Sequence, residues 1–153
     1  KAINYIKYPP IGKRGVGLSR AQNYGIGFEE YKNWLENEII FIAQIEHKDA
    51  VKNIDDILKF KYLDGIIIGP YDLSASMGLA GDYNNKLVKN MLEKVHKSVS
   101  KSKKSLGFHV IESDYNKVLD KIKLGYNLIA FSLDFFFLGD HARKEMKKLN
   151  TKL

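Results

Sequence analysis

The sequence predicts an α/β fold built on a parallel sheet, and two observations predict it. Four short runs, Ile39–Glu46, Gly65–Gly69, Ser105–Val110 and Leu128–Ser132, are β-branched, aromatic and nearly unbroken, the pattern of strands covered on both faces. Between them, apolar residues recur at helical spacing, so strand and helix alternate about every 20 to 40 residues. A parallel arrangement with right-handed crossovers is the economical topology for that alternation.

Residues 1–8 read as the last turns of a helix, with Ile3 and Ile6 toward the core, stopped by Pro9-Pro10. A glycine-rich loop follows with Gly12, Gly15 and Gly17; it lacks the Lys-Ser/Thr of a phosphate-binding loop and reads as a tight surface turn. Arg14 in that loop can reach a carboxylate through two N–H groups, at a site or in an ion pair that fixes the loop. FEEYKNWLEN, residues 28–37, is an amphipathic helix with Phe28, Tyr31, Trp34 and Leu35 on one side, and its tryptophan is expected in the core. After the first strand, Val51, Ile54 and Leu58 mark one helix over residues 48–59. The second strand ends in the Gly69-Pro70 turn and Asp72, and LSASMGLAGDYNN reads as a loop with one helical turn. Ser74 and Ser76 there can bond a ligand, although turn and capping bonds are the commoner use.

Val88, Leu92, Val95 and Val99 then form a core stripe, with His96 on the surface beside it. His109 stands near the end of the third strand, either orienting a substrate or serving as a hydrogen-bonded wall residue. Glu112 lies too far past that strand to count as a ligand. Ser113 is expected to open a helix with Tyr115, Val118, Leu119 and Ile122 inward, ending near Gly125. In the final helix Leu138, Ala142, Met146 and Leu149 form the stripe expected to close the chain against its neighbours, and His141 is a surface residue. Phe135, Phe136 and Phe137 are more aromatics than one face can bury.

The chemistry concentrates between Gln44 and Gly78. Alternation puts Gln44 and Glu46 on one side of the first strand, and Glu46 and Asp72 both follow the carboxyl ends of neighbouring parallel strands, where α/β folds keep their sites. Two acids and an amide at such an edge suit a hard divalent cation that keeps several waters for a substrate to displace. The same acids equally suit helix capping or pairing with a lysine.

QIE followed by AVKNIDDI, and then DGIIIGPYDLSASMGLAG, resembles the HpcH/HpaI aldolase family, the metal-dependent class II pyruvate aldolases. The likeness extends upstream to YPPIGKRGVGLSRAQNYG and downstream to GYNLIAFSLDFFFLG, covering nearly the whole chain. It implies a (β/α)8 barrel, which typically needs about 250 residues and eight strands. With 153 residues and four strands, the chain reads as one domain, residues 1–153, holding roughly the last four βα units as a half-barrel. The resemblance further implies cleavage of a 4-hydroxy-2-oxo acid to pyruvate and an aldehyde through a metal-stabilised enolate. Glu46 and Asp72 would ligate Mg2+, Mn2+ or Co2+, while Gln44, Asp72 and the backbone around Tyr71 would position the 2-oxo acid. It also implies that the Arg14 loop lies near the barrel mouth, and that the catalytic histidine and an arginine clamp belong to the first half, so that the missing half or a neighbouring subunit completes the site. The final helix would pack on a neighbouring subunit in a homo-oligomer. Alternatives are a non-catalytic half-barrel and an acyl-CoA lyase of the citrate lyase β type.

The net charge of +7 comes mainly from lysines on helix faces, without the aromatic clustering or motif of a nucleic-acid binder. There is no cysteine, which excludes disulfides and thiolate metal sites. No apolar run approaches the roughly 20 residues of a membrane span, and a cytoplasmic enzyme is expected.

Overall fold

The structure, a computed structural model, describes residues 1–152. Two compact units divide the chain, Lys1–Phe41 and Ile42–Leu153.

In the first unit α1 (Ala2–Ile6) is joined to α2 (Phe28–Asn37) by a buried lysine. The Lys7 ammonium donates to the carbonyls of Leu35 (2.7 Å) and Glu36 (3.2 Å), which places a cation where the carbonyl end of α2 favours one. Tyr8 is buried edge-on to Phe28, with ring centroids 5.8 Å apart. Arg14 does fix its loop, but not through the expected ion pair. Its guanidinium lies 5.0 Å from the Tyr8 ring centroid and 5.6 Å from that of Tyr31, and it donates to the Tyr31 hydroxyl at 3.1 Å. Trp34 corrects another expectation: it stacks on Tyr31 but remains 49% exposed, and only Leu35 of α2 is buried. A ring so large is seldom sealed completely, and the narrower Leu35 takes the inner position.

The second unit is a sheet of four parallel strands in the order β1 (Ile42–Ile45), β2 (Gly65–Ile68), β3 (Ser105–Val110) and β4 (Leu128–Phe131). Strands in register share faces. Ile45, Ile66, Ile68, Leu106, Phe108 and Val110 fall on one face and are buried. The core lies between them and the helical layer, whose buried residues are Val51 and Ile54 of α3 (Lys48–Lys52) and α4 (Ile54–Leu58), Leu73 of α5 (Pro70–Ala75), and Val88, Val95 and Val99 of α6 (Lys86–Ser100). The opposite face carries Gln44, Ile67, Gly107, His109 and Ala130, more open and less apolar. A methyl at Gly107 would stand 2.7 Å from the Ile66 carbonyl oxygen, so that point of the sheet admits only glycine.

Several boundaries differ from expectation for local reasons. The helix expected over 48–59 breaks at Asn53 (φ −97°, ψ 13°), whose backbone and side-chain amides both donate to the Asp49 carbonyl, at 3.1 and 2.8 Å. The loop expected after Asp72 is preceded by a helix that starts earlier, at Pro70, a residue suited to the first helical position. Ser74 and Ser76 are used structurally. Ser74 Oγ donates to Tyr71 O (2.7 Å) and accepts from Gly81 N (3.0 Å), while Ser76 Oγ donates to Leu73 O (2.7 Å) and accepts from Lys48 N (2.9 Å).

His96 does more than face solvent: its Nε2 lies 2.6 Å from the Leu124 carbonyl, and its ring meets Tyr126 edge-on. Helix α7 (Tyr115–Lys123) is capped by Asp114, not Ser113. Of its expected inward residues only Val118 is half-buried; Tyr115, Leu119 and Ile122 are exposed. The stripe of α8 (Asp134–Asn150) is likewise open, with Leu138 74% and Met146 55% exposed, and no residue of that helix is buried. Among the described residues nothing covers these outer faces, and no helix is long and apolar enough to cross a membrane.

Candidate active site

The carboxyl ends of β1 and β2 meet at Gly69, whose amide donates to the Ile45 carbonyl at 3.2 Å and carries the ladder one step past β2. Glu46 follows Ile45, and Gly69 is the residue on which α5 starts, with Asp72 in its first turn. A Cβ placed on Gly69 would lie 2.9 Å from Gln44 Nε2, 3.2 Å from Glu46 Cβ and 3.5 Å from Glu46 Oε2. The amide and the carboxylate therefore fold together over a backbone point that has no side chain. Gln44, Glu46, Tyr71 and Asp72 are all exposed there.

Asp72 makes no side-chain hydrogen bond among the described residues, although its place in the first turn of α5 suits the helix N-terminus, and α3 is capped by His47, whose Nδ1 accepts from Asp49 N at 3.2 Å. Asp49, Asp56, Glu93, Asp140 and Glu145 each pair with a lysine or arginine about one turn away. Glu46 and Asp72 have no such partner among the described residues. Both are free to accept a cation.

No cluster of three or more His, Cys, Asp or Glu occurs among the described residues. Glu46 at the end of β1 and Asp72 in the first turn of α5 are the acids at this edge, with the Gln44 amide beside Glu46; oxygen donors so few would suit a hard cation that retains most of its waters rather than a closed protein cage.

His109 lies on the same sheet face as Gln44, across from Ala130, half-buried and without a hydrogen bond among the described residues. The hydrogen-bonded wall role is thereby corrected. Tyr83 was not foreseen. Its hydroxyl is pushed above the ordinary tyrosine value first by burial and then by Tyr71, Glu112 and Asp72, which places it in the electrostatic neighbourhood of the candidate ligand. It sits in a turn, DYNN, with no periodic signal to single it out. Arg14 is held by Tyr8 and Tyr31 within the first unit.

Parallel βα units whose polar groups gather beyond the carboxyl ends of the strands define a portion of a (β/α)8 barrel. The chain belongs to the HpcH/HpaI aldolase/citrate lyase family, which it matches over residues 1–138. It is 31% identical over 142 residues to a 2-keto-3-deoxy-L-rhamnonate aldolase of Escherichia coli strain 536, an alignment covering 92% of this chain and 52% of that protein. The crystal structure of an HpcH/HpaI aldolase from Desulfitobacterium hafniense DCB-2 superposes with a TM-score of 0.79 at 30% identity, covering 96% of this chain and 57% of that one. An HpcH/HpaI aldolase/citrate lyase family protein from Burkholderia cenocepacia J2315 gives 0.88 at 25% identity, covering 97% and 59%. The chain thus spans about half the length of the curated relatives it matches.

Proposed function

We propose that this chain is the metal-binding half of a class II aldolase that cleaves a 4-hydroxy-2-oxo acid to pyruvate and an aldehyde. The observation that carries the reading is the convergence of Gln44 and Glu46 on Gly69, at the start of the helix that bears Asp72. Glu46 and Asp72 are the protein ligands of a divalent cation, Mg2+, Mn2+ or Co2+. Gln44 and the backbone at Tyr71 orient the 2-oxo acid beside it. The bound cation supplies Lewis-acid stabilisation of the enolate that forms as the carbon–carbon bond breaks. The 4-hydroxyl must lose its proton as the aldehyde forms, and the enolate carbon must gain one to become pyruvate. We assign the proton-transferring base and a cationic clamp to barrel elements outside this chain, so that they or a neighbouring subunit complete the site. The whole of 1–153 is read as one portion of that barrel, working in a cytoplasmic homo-oligomer.

Oxaloacetate decarboxylation isolates the metal half, because loss of CO2 generates the pyruvate enolate without prior removal of a proton. With Mn2+, the chain should decarboxylate oxaloacetate faster than the same Mn2+ without protein, EDTA should abolish the gain, and Glu46→Ala should lower it about 10²-fold. Activity that survives both EDTA and Glu46→Ala would remove the metal from the reading.

A further inference from the structure

A second feature borders the proposed metal site but requires no metal. Between β3 and helices α6 and α7 lies a cleft of ≈ 640 Å³ with Leu92, Phe108, Val110, Lys117 and Lys121 in its wall; toward the carboxyl edge it runs up to Tyr71 and His109 and so borders the candidate site. All of these residues belong to one compact unit. The volume lies within the range of small-molecule sites, and the walls have their usual composition, apolar side chains with a few placed polar groups.

Lys121 is the unusual member. Its ammonium sits 3.9 Å from the centre of the Phe108 ring and 6.0 Å from that of Tyr126. It makes no hydrogen bond or ion pair among the described residues, whereas the exposed Lys52, Lys59, Lys97 and Lys148 each hold an acid about one turn away. Burial pushes its pKa below the ordinary lysine value, against the opposing pull of Glu112 and Asp120 and with a smaller contribution from the like charge of Lys117. Lys117 and Lys121 stand one helical turn apart on α7 and both line the cleft. Glu112, at the rim, pairs with neither. Lys121, lodged among aromatic rings without an acceptor, and Lys117 one turn away set two cations against the single Glu112 carboxylate along the cleft wall.

We infer that this cleft binds a small amphipathic carboxylate, its apolar body against Leu92, Phe108 and Val110 and its carboxylate on the Lys121 ammonium, with Lys117 adding a second positive charge. Such a ligand offsets the desolvated cation and fills the apolar space at once. A neutral molecule of the same shape gains only the second.

Calorimetric titration of the unmodified chain with 4-phenylbutyrate and with 4-phenylbutan-1-ol at neutral pH compares the two. One saturable site for the acid is expected, with the alcohol about tenfold weaker or worse. Lys121→Met should weaken the acid by about as much, Lys121→Arg should keep it within about threefold, and Leu92→Trp, which fills the cavity, should abolish binding. Equal affinity for acid and alcohol, no saturable heat with the acid, or undiminished binding by Lys121→Met or Leu92→Trp overturns the inference. The acid–alcohol comparison needs no variant and decides the matter if a substituted chain does not fold.

Discussion

A methyl group at position 69 would press on Gln44 Nε2 at 2.9 Å and on Glu46 Cβ at 3.2 Å. The closer of these is the far end of a flexible side chain, which swings aside cheaply. Gly69→Ala should therefore cost less than about 1 kcal/mol of stability while displacing Gln44 and crowding Glu46, and Mn2+ affinity measured by EPR or calorimetry should fall about 10-fold or more. A variant that binds Mn2+ as tightly as the parent would separate Gly69 from the site. Ser132 poses the opposite problem. It is buried with φ +55°, where a residue bearing Cβ pays about 1 to 2 kcal/mol, and its hydroxyl donates to the Ile111 carbonyl at 2.8 Å. Ser132→Ala keeps the strain and loses the bond, so denaturant melts should show a loss of about 1 kcal/mol. Ser132→Gly loses the bond and relieves the strain, and should stay within about 1 kcal/mol of the parent. At this scale the placing of Gln44, Glu46 and Asp72 at the carboxyl edge was legible, because strand alternation speaks locally. Tyr83 and Lys121 were not, because each takes its character from residues distant in the chain, Tyr83 from Tyr71, Asp72 and Glu112 and Lys121 from the Phe108 ring, while their own neighbourhoods read as a turn and a solvated helix.

Helix α8 is tethered near its start by Asp140, which accepts from the Ser113 hydroxyl at 2.5 Å and from Arg143 Nη2 at 2.6 Å. These two donors, Ser113 first, hold the Asp140 carboxyl below its ordinary value. A depressed carboxylate stabilises the fold above its unfolded value, near about pH 4, and loses that contribution as pH falls through the folded value. Asp140→Asn should therefore flatten the acid side of a thermal-stability profile, and a parent and variant that decline in parallel would discount the tether. Three of the strands were readable almost to their ends because a parallel sheet imposes a dense apolar signal, but the first, expected over Ile39–Glu46, covers only Ile42–Ile45, since an apolar run does not mark where pairing begins. The break at Asn53 was not readable, since a change of backbone angle at one residue leaves no trace in hydrophobic periodicity. The inward facing expected for α7 and α8 failed for a more general reason. Amphipathic spacing records that one side of a helix is apolar; it does not record which polypeptide covers it.

The exposed apolar residues of α8, Phe135, Leu138, Met146 and Leu149, therefore bear on how the whole chain behaves. Together with β1 and β4, each at an end of the sheet with one edge unpaired among the described residues, they are an association hazard in water. Sedimentation velocity should show concentration-dependent association of this chain, reduced by Leu138→Glu with the far-UV spectrum unchanged. A monodisperse monomer at about 100 μM would count against it. The barrel family was legible from sequence because its motifs sit on strand ends that the sheet keeps in register. That register also constrains how such chains diversify over time. Insertion of a single amino acid within residues 42–45 would rotate Gln44 and Glu46 to the helical side and turn Ile45 out in their place. Length variation in descendants should thus collect in the connection after Ser76, while the short span ahead of Glu46 keeps its count.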